Sequence, residues 1–198
     1  MSLLITRVDE NSVQMLADTR VTSQTGGSQT LYDGKIIKVP VEIGREVIVG
    51  TVGNADHHSL LRYALKHRPI RGDSWQDIFD FFALLYEEAD NRGMRVFGAS
   101  TNFESTFHIA FPNKAWVVNG LAIEPVIGVY ASGSGADIAL GAMVAKATPM
   151  EAAMIACNHN VFCAFPIDVW TANEDGATFK YDRFDERGKR VSKTEPLF

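Results

Sequence analysis

The sequence lacks several things that would assign it quickly to a class. It has two cysteines, Cys157 and Cys163, in 198 residues. Their C-x5-C spacing is no standard zinc or redox motif, and two cysteines make no disulfide framework for a chain of this length. That usage points to a reducing compartment, and a cytoplasmic location is expected. No apolar run reaches the roughly 18 residues of a membrane helix. The longest candidate, residues 115–131, is broken by Asn119, Glu124 and Pro125. The first residues lack the basic stretch and cleavage site of a secretory signal. There is no excess of positive charge: the net charge of -5 argues against nucleic acid as a partner. The segment Gly133-Ser134-Gly135 lacks the third glycine of a dinucleotide fingerprint and the Lys-Ser/Thr of a P-loop. His67, His108 and His159 share no metal-ligand spacing, and His57-His58 is expected to be solvated on a helix. No metal, cofactor or membrane is therefore expected.

What is present is one domain's worth of chain with a soluble composition, 46% hydrophobic and 22% charged. Alternation predicts strands at Leu3–Val8 and Val13–Ala17, joined by a polar turn, then at Lys35–Val39 and Glu46–Thr51 around Gly44-Arg45. Ser23–Gln29 reads as a loop. Helical spacing predicts Ala55–Lys66, with Leu60, Leu61, Ala64 and Leu65 on one side. It also predicts Trp75–Asn91, burying Ile78, Phe79, Phe82, Leu85 and Tyr86. Strands are expected at Met94–Ala99, Thr106–Phe111, Ala115–Val118 and Val126–Tyr130. Two helices follow, Ala136–Ala147 and one capped by Thr148-Pro149 that runs to Asn158. A hairpin, Ile167–Ala172 and Ala177–Asp182, closes the domain. The expected division is a single domain over 1–182 and a charged, solvated tail over 183–198. Runs of strands separated by pairs of helices indicate an α+β class with stacked sheets, not a doubly wound sheet.

The chemistry suggested by the residues starts at Ser2. With Met1 removed, its free amine and its hydroxyl share one residue. An α-amine titrates at about 7.7–8.0, which suits a general base for its own hydroxyl. Asp18 lies 16 residues on, at the far end of the adjacent strand, so a hairpin brings it beside Ser2. A lysine at the start of the next strand, paired with Asp18, would lower the amine's pKa through its charge. Lys35 and Lys38 both compete for that place.

These landmarks resemble a family. Ser2, then Ala17-Asp18-Thr19-Arg20-Val21-Thr22, Lys35-Ile36-Ile37-Lys38-Val39, Gly50-Thr51-Val52-Gly53-Asn54-Ala55-Asp56 and Gly133-Ser134-Gly135 look like those of proteasome β-type subunits and their bacterial relatives. These belong to the N-terminal-nucleophile (Ntn) hydrolases. Asn160-Val161-Phe162-Cys163-Ala164-Phe165, and Glu174-Asp175-Gly176 beginning 14 residues after Asn160, continue the pattern. The resemblance implies a four-layer αββα sandwich. It places the nucleophile at Ser2, the aspartate at Asp18, the lysine at Lys35, and at Ser134 a serine that holds the nucleophile's amine. It puts the oxyanion hole on a backbone N–H of Gly53 or Asn54, at a helix start where unpaired N–H groups and the dipole favour negative charge. Val21 and Val52 fall on its side-chain pocket.

The sequence also departs from the family. Serine stands in place of the usual threonine. Asn160 stands where the family has an aspartate, and an amide cannot supply that charge. Cys163 stands for a serine, and Ala164-Phe165 for a glycine pair. The implied activity is peptide-bond hydrolysis by a homo-oligomeric ring or related assembly that takes polypeptide from an ATP-dependent unfoldase or adaptor. A catalytically silent assembly subunit and a small-molecule amidase are the alternatives.

Overall fold

The computed structural model describes residues 2–192 apart from 11, 23–27, 31–33, 41–44, 93–104 and 174. The expected strand at Met94–Ala99, Met1, Gly44 and the last six residues lie outside the described residues.

The described chain is a mixed α/β structure built on two antiparallel sheets. The first, in order β10-β1-β2-β11-β12-β13, comprises Val129–Ser132, Leu4–Asp9, Ser12–Asp18, Ile167–Ala172, Phe179–Phe184 and Arg190–Ser192. The second, β5-β6-β7-β8-β9, comprises Ile36–Pro40, Glu46–Val52, Thr106–Phe111, Lys114–Asn119 and Ala122–Pro125. A short ribbon pairs β3, Arg20–Thr22, with β4, Ser28–Thr30. The helices are α1 (Ala55–His67), α2 (Trp75–Asn91), α3 (Ala136–Val144) and α4 (Pro149–His159).

Three apolar clusters explain this arrangement. Leu4, Met15, Ile48, Ala110, Val117 and Trp170 come from both sheets and pack together. Alternation along each strand sends the neighbouring side chains to the opposite face. There Val47, Val49, Phe107 and Ile109 of the second sheet meet Leu61, Leu65, Phe82 and Leu85 of α1 and α2. On the first sheet, Leu3, Ile5, Leu16 and Ile167 meet Ala139, Ala152, Ala153 and Ala156 of α3 and α4. The small alanines let these helices lie close to the strands.

Local signals set the helix ends. Thr148 caps α4 in a reciprocal box with Glu151, and Ser74 caps α2 likewise with Asp77. The third helix stops at Val144, short of the expected Ala147. Lys146 takes a φ of 73°, and the Ala147 N–H turns back to Ala142 O.

Several sequence expectations need correction. The segment Ser23–Gln29 is not all loop, because Ser28 and Gln29 belong to β4. Ala122–Pro125 is a further strand, and the strand expected at Val126–Tyr130 runs from Val129 to Ser132. The hairpin's second strand is Phe179–Phe184. Residues assigned to a solvated tail from 183 instead extend the sheet: Arg183 and Phe184 pair with Asp168 and Ile167, and Arg190–Ser192 forms β13. Phe184 packs against the α3–α4 cluster, which is what holds this edge in place. His57 and His58 are buried, not solvated. The chain at Ser105 lies against the first turn of α1, and Ser105 Oγ is 2.8 Å from His57 Nδ1.

Candidate functional site

Ser2 is buried just ahead of β1. Its nitrogen donates to Ser134 Oγ at 3.2 Å, and its carbonyl accepts from the Gly135 N–H at 3.2 Å and from Ser134 Oγ at 3.3 Å. The chain at Gly133 passes so close that a Cβ there would lie 2.2 Å from Ser2 O, and its φ of 94° suits only glycine. The Gly133-Ser134-Gly135 turn therefore clamps the strand tip from one side.

Asp18 clamps it from the other. The β1–β2 register pairs Leu4 with Ala17, which puts Asp18 next to the start of β1. Asp18 is 0% exposed, and Oδ1 accepts the Leu3 N–H at 2.8 Å and the Lys35 ammonium. Oδ2 accepts the N–H groups of Arg20 at 3.1 Å and Ala164 at 3.2 Å. Three backbone donors and one cation satisfy the carboxylate in a site without water access.

Lys35 is 3% exposed. Burial lowers its pKa below the usual lysine value, and the Asp18 charge and hydrogen bond partly restore it. The competing lysine is elsewhere: Lys38 pairs with Glu46 at 3.1 Å and lies over the Trp170 ring. The two lysines are three residues apart, and Lys35 sits just before Ile36, where β5 begins.

The helix-start candidates separate as well. Gly53 is exposed, with φ at 126°. The Asn54 N–H instead donates to Ser105 Oγ at 3.0 Å. Of the two, Gly53 is the better placed to offer a free N–H to a developing oxyanion.

The supporting positions converge on the same tip. Asn160 follows α4, and its Nδ2 donates to Ser134 O at 2.6 Å. Cys163 is buried and hydrogen-bonded to Ser134; burial first, then the Asp18 charge, pushes its thiol up to about 11. A thiol held neutral in this way is no rival nucleophile at neutral pH. The pocket residues do not come together so plainly. Val21 is half-buried on the β3–β4 ribbon, whereas Val52 is packed into the core between the sheets.

Two further polar groups escape the sequence reading. Asp168 is 1% exposed and takes Arg183 Nε at 2.6 Å, Arg183 Nη2 at 3.0 Å and the Tyr181 hydroxyl at 2.7 Å. A Cβ on Gly34 (φ 70°) would lie 2.5 Å from Asp168 Oδ2, so this cluster braces the residue just before Lys35. Opposite charges directly across a hairpin were the available signal, visible once Asp168 is set against Arg183. His108 of β7 is fully buried between the sheets, 2.8 Å from Thr6 Oγ1 and 2.9 Å from Ser132 Oγ. Burial lowers its pKa to about 3, so it is neutral. It reaches the residue directly before the Gly133-Ser134-Gly135 turn.

No family model and no curated protein sequence matches the chain. Solved structures do. Thiobacillus denitrificans BPH in complex with epoxomicin is 20% identical at a TM-score of 0.72, over 85% of this chain and 97% of that one. The Anbu complex of Pseudomonas aeruginosa, described as a helical assembly, is 13% identical at 0.71, over 93% and 87%. HslV from Trypanosoma brucei is 17% identical at 0.61, over 85% and 98%. At these identities the common property is the fold. With two antiparallel sheets, paired helices and a serine clamped at the tip of the first strand, the chain has the fold of the proteasome-like Ntn hydrolases.

Proposed function

We propose that the chain is an N-terminal-nucleophile amide hydrolase, a proteasome-like peptidase subunit that uses Ser2 once Met1 is removed. The observation that carries this reading is the double clamp on Ser2. Its nitrogen lies on Ser134 Oγ, and the next N–H lies on the carboxylate that holds the buried Lys35. The three apolar clusters support the order helix pair, sheet, sheet, helix pair, which is a four-layer αββα sandwich.

Removal of Met1 turns the Ser2 nitrogen from an amide into an amine. The Lys35 charge lowers that amine's pKa, so it is unprotonated near neutral pH and takes the proton from Ser2 Oγ. The oxygen attacks a peptide carbonyl, and the Gly53 N–H stabilises the oxyanion. Breakdown gives an ester on Ser2 and releases the amine of the leaving segment, which takes the proton from the Ser2 amine. Water, activated by the same amine, hydrolyses the ester. Ser134 and Asp18 hold the strand tip, while Asn160 and Cys163 support Ser134. Val21, on the ribbon, is a better candidate than Val52 for contact with a substrate side chain. The subunit acts as a homo-oligomer on polypeptide supplied by an ATP-dependent unfoldase or adaptor, in the cytoplasm. The assembled Anbu neighbour supports the oligomer.

A silent assembly subunit is the second reading. It is favoured by the Asn54 N–H, which is committed to Ser105 and so leaves a single candidate donor for the oxyanion. Epoxomicin, bound by the Thiobacillus denitrificans neighbour, distinguishes the two. Peptide mapping of the processed chain should find the adduct on the N-terminal peptide. A chain that assembles but takes no adduct, and cleaves no peptide, is a silent subunit.

A further inference from the structure

We propose that Asn160 is a positioning residue that works as an amide, and that an aspartate in its place impairs the site. The proposal deepens the reading of Ser2 as nucleophile and rests on it for its kinetic test.

Asn160 makes two side-chain hydrogen bonds of opposite sense. Nδ2 donates to Ser134 O at 2.6 Å, and Oδ1 accepts the Phe162 N–H at 2.9 Å. A carbonyl oxygen only accepts and a peptide N–H only donates, so the orientation of the amide is fixed by its partners. An ionised carboxylate has no hydrogen to give. It would keep the bond from Phe162 and set a negative oxygen against Ser134 O.

The position of this amide gives the difference its consequence. The main chain of Asn160 accepts the Cys163 N–H at 3.0 Å, and the Ala164 N–H reaches Asp18 Oδ2 at 3.2 Å. The 160–164 turn thus ends on the carboxylate that holds Lys35 and begins on the carbonyl of Ser134. Ser134 in turn meets both the nitrogen and the carbonyl of Ser2. The turn ties the two halves of the clamp together, and the Asn160 amide is its link to one of them. The likeness to proteasome β-type subunits, which have an aspartate here, suggests that Asn160→Asp restores a missing charge and raises activity. The geometry predicts the opposite.

The test compares processed wild type, Asn160→Asp, Asn160→Ala and Asn158→Asp, which adds the same charge two residues away on the exposed face of α4. With epoxomicin as probe, the limiting rate of adduct formation at Ser2 should fall about 10-fold or more in Asn160→Asp, the scale of one lost hydrogen bond. It should fall less in Asn160→Ala and stay unchanged in Asn158→Asp. The half-saturating concentration should hardly move. Hydrogen exchange supplies a readout that needs no catalysis. The Gly135 amide, which donates to Ser2 O, should exchange faster in both Asn160 variants and not in Asn158→Asp. Adduct formation by Asn160→Asp at or above the wild-type rate, or unaltered exchange at Gly135, overturns the proposal. If wild type takes no adduct, the hydrolase reading fails, and exchange at Gly135 alone decides the role of Asn160.

Discussion

Two buried carboxylates lie almost side by side in the first sheet, and their partners differ. Asp18 ends β2 opposite Ile167, and Asp168 stands one residue along, opposite Ala17. Asp168 is held by a two-pronged arginine and a tyrosine hydroxyl, whose own pKa burial raises further. The arginine stays charged and the tyrosine hydroxyl stays neutral near neutral pH, so this cluster suits a fixed chain position. Asp18 is held by three backbone N–H groups and a lysine. The lysine is a compact charge, lowered in pKa by burial, beside the tip of the first strand. The same type of ion pair thus appears twice in one sheet, once with an arginine and once with a buried lysine.

Breaking each pair should have a different consequence. Arg183→Met strands the Asp168 charge beside Tyr181 alone, and denaturant titration should show a loss of about 3–5 kcal/mol. Adduct formation with epoxomicin per folded molecule should persist. Lys35→Ala should do the reverse. Asp18 keeps its three N–H donors, so folding survives, but adduct formation with epoxomicin should fall at least about 100-fold, the lower range for loss of a proton-transfer device. Lys38→Ala, which removes the pair with Glu46 and the contact with the Trp170 ring, should leave adduct formation intact. Equal labelling of wild type and Lys35→Ala would collapse the distinction between the two carboxylates.

A smaller effect sharpens the contrast between ion pairs and neutral links. His108 joins the sheets without charge, with a folded pKa of about 3. The unfolded chain takes up that proton near pH 6.5, and the folded chain refuses it until far lower pH. Its contribution to stability is complete above pH 6.5 and is lost as pH falls toward 3, at up to about 1.4 kcal/mol per pH unit. His108→Gln keeps a donor and an acceptor without a titrating group. Its stability should be lower at pH 7 but should fall less steeply between pH 6 and 4. Parallel slopes would place the acid sensitivity elsewhere.

Much of this was legible in the sequence where periodicity runs long. The apolar face of α1, most of the face of α2 and the Thr148 cap follow from the sequence, although Phe81, which the spacing did not select, is buried and Phe79 only partly so. Strands of three or four residues, such as β3, β4, β9 and β13, carry too few alternations to stand out. The Ser2, Asp18 and Lys35 positions were legible because their order along the chain follows a family pattern. What spacing did not reveal is how polar groups divide the work between layers. Lys35 and Lys38 look equivalent in sequence, and only the partners Asp18 and Glu46 separate them. His57 read as solvated because its partner, Ser105, is 48 residues away. Arg183 read as a tail charge because the hairpin register that sets it against Asp168 was placed two residues short.

The central claim is that the amine of Ser2 is the catalytic base, and it is tested by comparing three forms of the full chain. These are the processed protein, processed Ser2→Ala, and protein made with methionine aminopeptidase inhibited so that Met1 remains. Intact mass establishes each form before it is offered a broad peptide library. Hydrolysis should appear with the first form alone, because a retained methionine converts the amine into an amide with no basic lone pair while leaving the hydroxyl in place. Hydrolysis by the Met1-retaining form at the rate of the processed one would contradict the account.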